Sequence, residues 1–214
     1  MSVKGKETEN LKWTTRLLEI SIGVLLGDCS IQKNKSKSTE RYRLKFLQGA
    51  QHKEYIYHLH AEFKDYVLCQ PHFDSKRNTY SFQTVFHSEF TKLAEIFLNE
   101  NYKKSIKPFF LENPISPVSL AYWFMDDGGL LSYNKDYPRR GLVLNTHGFS
   151  FSEVNVLSLN LNSAYNLGTW VKENKNKPII AVSGKKHKER KELIFPHIIE
   201  SMRYKLTARN TLKV

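Results

Sequence analysis

Hydrophobic positions crowd into two short stretches about a hundred residues apart. In the first, Leu17, Leu18, Ile20, Ile22, Val24, Leu25 and Leu26 leave little polar surface on any side. That pattern predicts a helix starting at Thr14 or Thr15 and buried almost all round. Gly23 and Gly27 fall four apart on one face of it. Glycine weakens a helix by about 1 kcal/mol relative to alanine, so two of them on a buried face predict close backbone contact with another helix. The second stretch opens with Ser116-Pro-Val-Ser, a capping residue followed by proline, and runs through Leu120, Ala121, Trp123, Phe124 and Met125 to Gly128-Gly129. Each helix closes on an acid, Asp28 in one case and Asp127 in the other.

The spacing repeats along the chain. Asp28 and Asp127 are 99 positions apart, and the strand-like segments 43–48 and 141–146 are offset by 98. Residues 79–85 answer 178–183, and Lys104, after the apolar pattern of 90–97, answers Lys205, after that of 193–202. Each half therefore reads as an apolar helix ending in Asp, a hairpin, a helix, a second hairpin and a last helix leading to a lysine. The expected fold is α+β: an N-terminal extension (1–13), a first subdomain (14–110) and a second (111–214). If the two apolar helices pack side by side, Asp28 and Asp127 emerge together, a geometry suited to holding a divalent metal over a phosphate.

Composition narrows the partner. The formal net charge is +12 in 214 residues. The excess is +3 up to Glu100 and +9 beyond it, so it is not a detachable tail. Such a balance favours a polyanion, with solubility as the plain alternative. Cys29 and Cys69 are too few for a disulfide framework and have no zinc spacing. Cys29 reads as a small packing residue, and His52, His58 and His60, with no partner at ligand spacing, read as surface positions. The N-terminal segment lacks an apolar signal region and no run approaches the ~20 residues of a membrane span, so a reduced, intracellular, soluble protein is expected.

The two runs resemble the paired signature of the LAGLIDADG homing endonucleases, with Asp28 and Asp127 in the motif's metal-binding position. Residues 119–129, together with 143–146, 174–180 and 204–206, look like the two-motif, single-chain members encoded in yeast mitochondrial group I introns. The resemblance spans roughly residues 14 to 206. It implies a pseudo-twofold pair of αββαββα units whose antiparallel sheets form a saddle over duplex DNA. It also implies a monomer in the mitochondrion that promotes intron mobility. Such a protein makes a magnesium-dependent (Mg²⁺) double-strand break in a long site, leaving 3′ overhangs, with Mn²⁺ able to substitute. Carried over by position, Asp28 and Asp127 would hold metal with the carbonyls of Gly27 and Asp126, and Lys104 and Lys205 would stand beside the two centres. Asp126 is open to a second reading, as a further ligand or as support. The second motif has Tyr122 where the first has Gly23 and Asp126 where it has Gly27, and the first has Cys29 in place of the final glycine. An asymmetric helix contact and unequal metal sites are therefore expected.

Phosphodiester hydrolysis builds negative charge that metal and lysine neutralise, so no histidine or serine nucleophile is needed and no general base is assigned. DNA would be read from the hairpins. Alternation in 41–48 sends Arg41, Arg43 and Lys45 to one face, with Gln48 at its irregular end. Further contacts are expected from Lys33, Lys35 and Lys37, from Lys76, Arg77, Tyr80 and Gln83, and from Arg139, Arg140, Asn145 and Lys172. The charge run 185–191 would either touch phosphates or simply be solvated. Two alternatives stand beside the nuclease: an RNA maturase acting on its host intron RNA, and a DNA-binding protein without catalysis.

Overall fold

The structure, a computed structural model, describes residues 11–34, 40–131 and 141–206. Lys35, Lys37, Arg139 and Arg140 lie outside the described residues. The first apolar run forms α1 (Thr15–Leu26), capped by Thr14, whose side chain accepts the Leu17 N–H at 3.1 Å. β1 (Ser30–Lys33), β2 (Tyr42–Gly49), α2 (Lys53–Glu62), β3 (His72–Asp74), β4 (Thr79–Gln83) and α3 (Glu89–Phe97) follow. After a single turn, α4 (Phe109–Glu112), the order recurs. It gives α5 (Pro117–Asp127), β5 (Gly128–Leu131), β6 (Gly141–Asn145), α6 (Phe151–Tyr165), β7 (Thr169–Asn174), β8 (Lys177–Val182) and α7 (His187–Ile194). Ser116 caps α5 by accepting the Ser119 N–H at 3.1 Å, with Pro117 in the first turn.

The strands form two antiparallel four-stranded sheets with equivalent orders, β1-β2-β4-β3 and β5-β6-β8-β7. Each sheet packs one face on helices. Leu44, Phe46 and Phe82 of the first sheet and Leu142, Leu144, Ile180 and Val182 of the second join one apolar core shared by both halves. At its centre α1 and α5 lie against each other, with Ile20, Val24, Leu25, Ala121, Trp123 and Met125 fully buried. Gly23 makes this approach possible, because a Cβ there would stand 2.4 Å from the Ser119 carbonyl oxygen and 2.8 Å from the Tyr122 Cβ. Ser119 Oγ donates to the Glu19 carbonyl at 2.7 Å across the same contact.

One expected element differs. The apolar pattern over 193–202 predicts a single helix, but α7 ends at Ile194. Pro196 lacks an N–H and cannot continue the α-helical ladder, so a 3-10 turn, Phe195–His197, intervenes. Lys205 is carried by a second 3-10 segment, Glu200–Leu206.

Candidate active site

Both apolar helices end at the same place. Asp28 lies just past α1, and its backbone N–H donates to Asp126 Oδ2 at 3.2 Å. Gly27 leaves the room for this, since a Cβ there would meet the Asp126 side chain at 2.5 Å. Gln48, at the end of β2, joins the two acids: its Nε2 donates to Asp28 Oδ2 at 3.0 Å and to Asp126 Oδ1 at 3.2 Å. Asp126 therefore has both side-chain oxygens held by the chain, which favours the supporting reading of this residue. The buried Tyr55 hydroxyl faces the same carboxylate without closing an aligned hydrogen bond. Asp127 is partly buried, and its carboxylate receives no hydrogen bond among the described residues.

The electrostatics reflect crowded negative charge. Burial, then repulsion from Asp28, pushes the Asp127 carboxyl up to about 7, against the pull of Lys104 and Lys205. Burial and Asp28 likewise raise Asp126 well above the usual carboxylate range. Groups so arranged are relieved by a cation.

The two lysines take equivalent positions. Lys104 Nζ donates to the carbonyls of Leu25, Gly27 and Cys29 at 2.8, 2.7 and 3.1 Å. Lys205 Nζ donates to those of Met125 and Asp126 at 2.5 and 2.8 Å. Each ammonium thus neutralises the negative end of a helix and satisfies its terminal carbonyls. Burial lowers both lysines from the ordinary range, opposed by the nearby acids. The Gly27 and Asp126 carbonyls, expected as metal ligands, accept these lysine hydrogen bonds.

Sequence reasoning missed a chain of polar groups leading away from Gln48. His52 Nδ1 meets Gln48 Oε1 at 3.2 Å, and His52 Nε2 meets the Tyr204 hydroxyl at 2.9 Å. His52 is half-buried and hydrogen-bonded on both ring nitrogens. His58 and His60 are likewise partly exposed with polar partners, His58 Nε2 lying 2.7 Å from the Tyr122 hydroxyl and His60 meeting the Cys69 carbonyl at 3.1 Å. Cys29 is buried as expected for packing. The available signal for Gln48 was alternation: Tyr42, Leu44, Phe46 and Gln48 share one face of β2, and all four are buried.

That facing also corrects two groove assignments. Gln48 pairs with Tyr80, so both lie on the helix side of the first sheet, away from Lys45 and Gln83, which pair three register positions away and so face the other side. Tyr80 packs against Phe73, their rings tilted by 34° with centroids 4.8 Å apart. Arg43, Lys45, His72, Ser81, Gln83 and Phe86 instead line an open groove of about 590 Å³ on the other face. Arg43 lies over the Phe86 ring at 4.6 Å and donates to Gln32 at 3.1 Å. Lys33 is paired with Glu40 at 2.7 Å and Tyr102 at 2.8 Å, and Arg41 donates its backbone N–H to Asn34 at 3.2 Å. Lys76 and Arg77 occupy the β3–β4 turn, their backbone N–H groups bonded to Asp74. In the second half Lys172 is exposed on β7, while Asn145 Nδ2 donates to the Asp127 carbonyl at 2.9 Å. The charge run 185–191 is not uniformly solvated, because Arg190 is buried in α7.

Paired saddle-type sheets, with acidic helix tips and half-buried lysines at their seam, define the class of two-motif nucleases. Residues 18–189 match the LAGLIDADG DNA endonuclease family, and the chain belongs to that family and is a DNA endonuclease. It is 42% identical over 205 residues to a probable intron-encoded endonuclease 1 of Wickerhamomyces canadensis, covering 91% of this chain and 87% of that protein. It is 29% identical to the cytochrome b mRNA maturase bI2 of Debaryomyces hansenii, covering 89% of this chain and 73% of the maturase. Among solved structures, the homing endonuclease I-WcaI bound to its DNA recognition sequence superposes with a TM-score of 0.81 at 38% identity. That match covers 96% of this chain and 93% of that one.

Proposed function

We propose that the chain is a site-specific homing endonuclease making a divalent-metal-dependent double-strand break, with 3′ overhangs, in a long duplex site, and so promoting intron mobility. The observation that carries this reading is the meeting of Asp28, Asp126 and Asp127 at one seam, with a half-buried lysine behind each helix tip. Among the described residues no group of three or more His, Cys, Asp or Glu side chains is arranged to hold a metal unaided. Hard oxygen donors from Asp28 and Asp127, with phosphate oxygens completing the shell, fit Mg²⁺, which keeps waters and needs few protein ligands; Mn²⁺ fits the same donors. The excess negative charge that raises Asp127 supports a cation at this place. Bound there, the metal would lower the pKa of the attacking water and offset charge on the phosphate.

The chain's own residues do the rest. Asp126 and Gln48 hold Asp28 in place, and Lys104 and Lys205 fix the helix tips while adding positive potential near the developing phosphorane charge. On the first sheet Arg43, Lys45 and Gln83 present donors to a major groove, and Lys172 and Asn145 extend that surface across the second. The remaining assigned contacts, Lys33 at the last position of β1, Arg41 just before β2, and Lys76 and Arg77 in the β3–β4 turn, are suited to phosphates. The similarity to a nuclease solved on its recognition sequence supports double-stranded DNA as the partner. Relatives of both kinds, nuclease and maturase, support a mitochondrial intron setting and a second reading as a splicing maturase for the host intron RNA, and the two equivalent halves within one chain support a monomer with internal pseudo-symmetry.

Selection of cleaved duplexes from a randomised library in Mg²⁺ tests the proposal. The expected result is one preferred site cut on both strands, and loss of cutting with binding kept in Asp28→Asn and Asp127→Asn. Unaltered cutting in either variant removes the site assignment. Splicing of the host intron with and without protein tests the second reading.

A further inference from the structure

We propose that Tyr204 and His52 are positioning residues that fix the amide orientation of Gln48 from across the seam, and that this relay, which ends on Asp28 and Asp126 but not on Asp127, makes the two strand cleavages unequal. The inference rests on the nuclease reading above. Its geometry is continuous: Tyr204 hydroxyl to His52 Nε2 at 2.9 Å, His52 Nδ1 to Gln48 Oε1 at 3.2 Å, and Gln48 Nε2 onward to Asp28 and Asp126 at 3.0 and 3.2 Å.

Donor and acceptor inventories fix the direction of every link. The Asp28 carboxylate only accepts, so Gln48 turns its NH₂ toward it and is left with its oxygen facing His52. An amide oxygen only accepts, so His52 Nδ1 carries the proton. A neutral ring then offers the Nε2 lone pair, which takes the Tyr204 O–H. Burial and the neighbouring Lys205 favour that neutral ring over the cation, with Asp28 opposing. Were the ring to take the other tautomer, its bare Nδ1 would face the Gln48 oxygen, and relieving that clash by an amide flip would set the oxygen against the Asp28 carboxylate, acceptor on acceptor.

Among the described residues one centre has this device, and placement explains why. Gln48 and His52 come from the first half, at the end of β2 and in the 3-10 turn Ala50–His52. Tyr204 belongs to the second half and is the direct neighbour of Lys205, which caps α5. In the second half, the residues at the end of β6 are otherwise engaged. Thr146 donates to the Pro178 carbonyl at 2.7 Å, and Asn145 donates to the Asp127 carbonyl at 2.9 Å. Neither hydrogen bond reaches a carboxylate.

Two measurements on the full chain test the proposal. The first is ¹⁵N imidazole NMR of the free protein, with the His52 signals assigned by their loss in His52→Ala. The proton is expected on Nδ1, with Tyr204→Phe moving the ring toward a tautomer mixture. A ring protonated on Nε2 in the parent protein overturns the relay. The second is strand-resolved cleavage of a supercoiled plasmid carrying the selected site. Tyr204→Phe is expected to slow one strand about tenfold in kcat and leave the other within about twofold, with KM for DNA unchanged, so that nicked circles accumulate. His52→Ala is expected to do the same and to be rescued in part by added imidazole. Equal slowing of both strands, or none, overturns the inequality. If the parent protein cuts neither strand, the nuclease reading and the inequality both fail, while the tautomer still decides the relay.

Discussion

The two halves share a fold but not a chemistry. The first helix tip is built on absence: Gly23 admits the partner helix, and Gly27 admits the Asp126 side chain. The second supplies what fills those gaps, Tyr122 and Asp126. The sheets diverge in the same way. The open face of the first carries Arg43, Lys45, Ser81 and Gln83, whereas in the second Val143 pairs with Ala181, and Ile179 is buried outside the shared core. Duplication thus preserves the elements that must match, the paired helices, lysines and sheet orders. It frees the positions on the open faces of the two sheets.

The largest effect should separate the two adjacent acids of the second tip. Asp127→Asn is expected to reduce cleavage about 10²–10³-fold or more in a Mg²⁺ assay, from lost charge at the reacting phosphate. Asp126→Asn should cost less, because asparagine keeps an acceptor for the Asp28 N–H. Equal losses would erase the distinction between ligand and support. Next comes packing. Gly23→Ala places a Cβ against Ser119 and Tyr122, and such overpacking costs about 1–3 kcal/mol, or several degrees of Tm at this size. Gly129→Ala, whose Cβ would meet only Val143 Cγ1 at 3.7 Å, should leave the thermal midpoint nearly unchanged.

A pH experiment sharpens the electrostatic contrast. With its carboxyl pushed up to about 7, Asp127 binds more protons folded than unfolded between about pH 4 and 7. The metal-free protein therefore loses stability from this group as pH rises through that window, and the full penalty is present above 7. Melts should show a larger Mg²⁺-induced rise in Tm at pH 8 than at pH 5, and Asp127→Asn should flatten the difference. The smallest effect concerns the groove faces. Lys45→Ala and Lys172→Ala should each lower the slope of log affinity against log salt by about 1, while Tyr80→Ala, on the helix side, should leave it unchanged.

Much of this organisation was legible because hydrophobic periodicity and repeat spacing are local properties. The caps at Thr14 and Ser116, the buried helices and the hairpins all follow from them. The pairing of Lys104 with Lys205 was legible as position but not as contact, since nothing in a sequence says that an ammonium will turn toward helix carbonyls. Gln48 and Tyr80 were misplaced because polar identity outweighed strand parity; counting by twos from Tyr42 puts Gln48 inside. His52 and Tyr204 lie 152 positions apart, and only the docking of one half on the other joins them. Pro196 should have signalled the broken final helix.

The central claim is that Asp28 and Asp127 serve one seam as metal-holding groups. Anomalous scattering from Mn²⁺ in crystals of the protein with its selected duplex tests it directly. Peaks within coordination distance of both carboxylates, beside the scissile phosphates, are the predicted result. Manganese bound elsewhere, with both carboxylates bare, would contradict it.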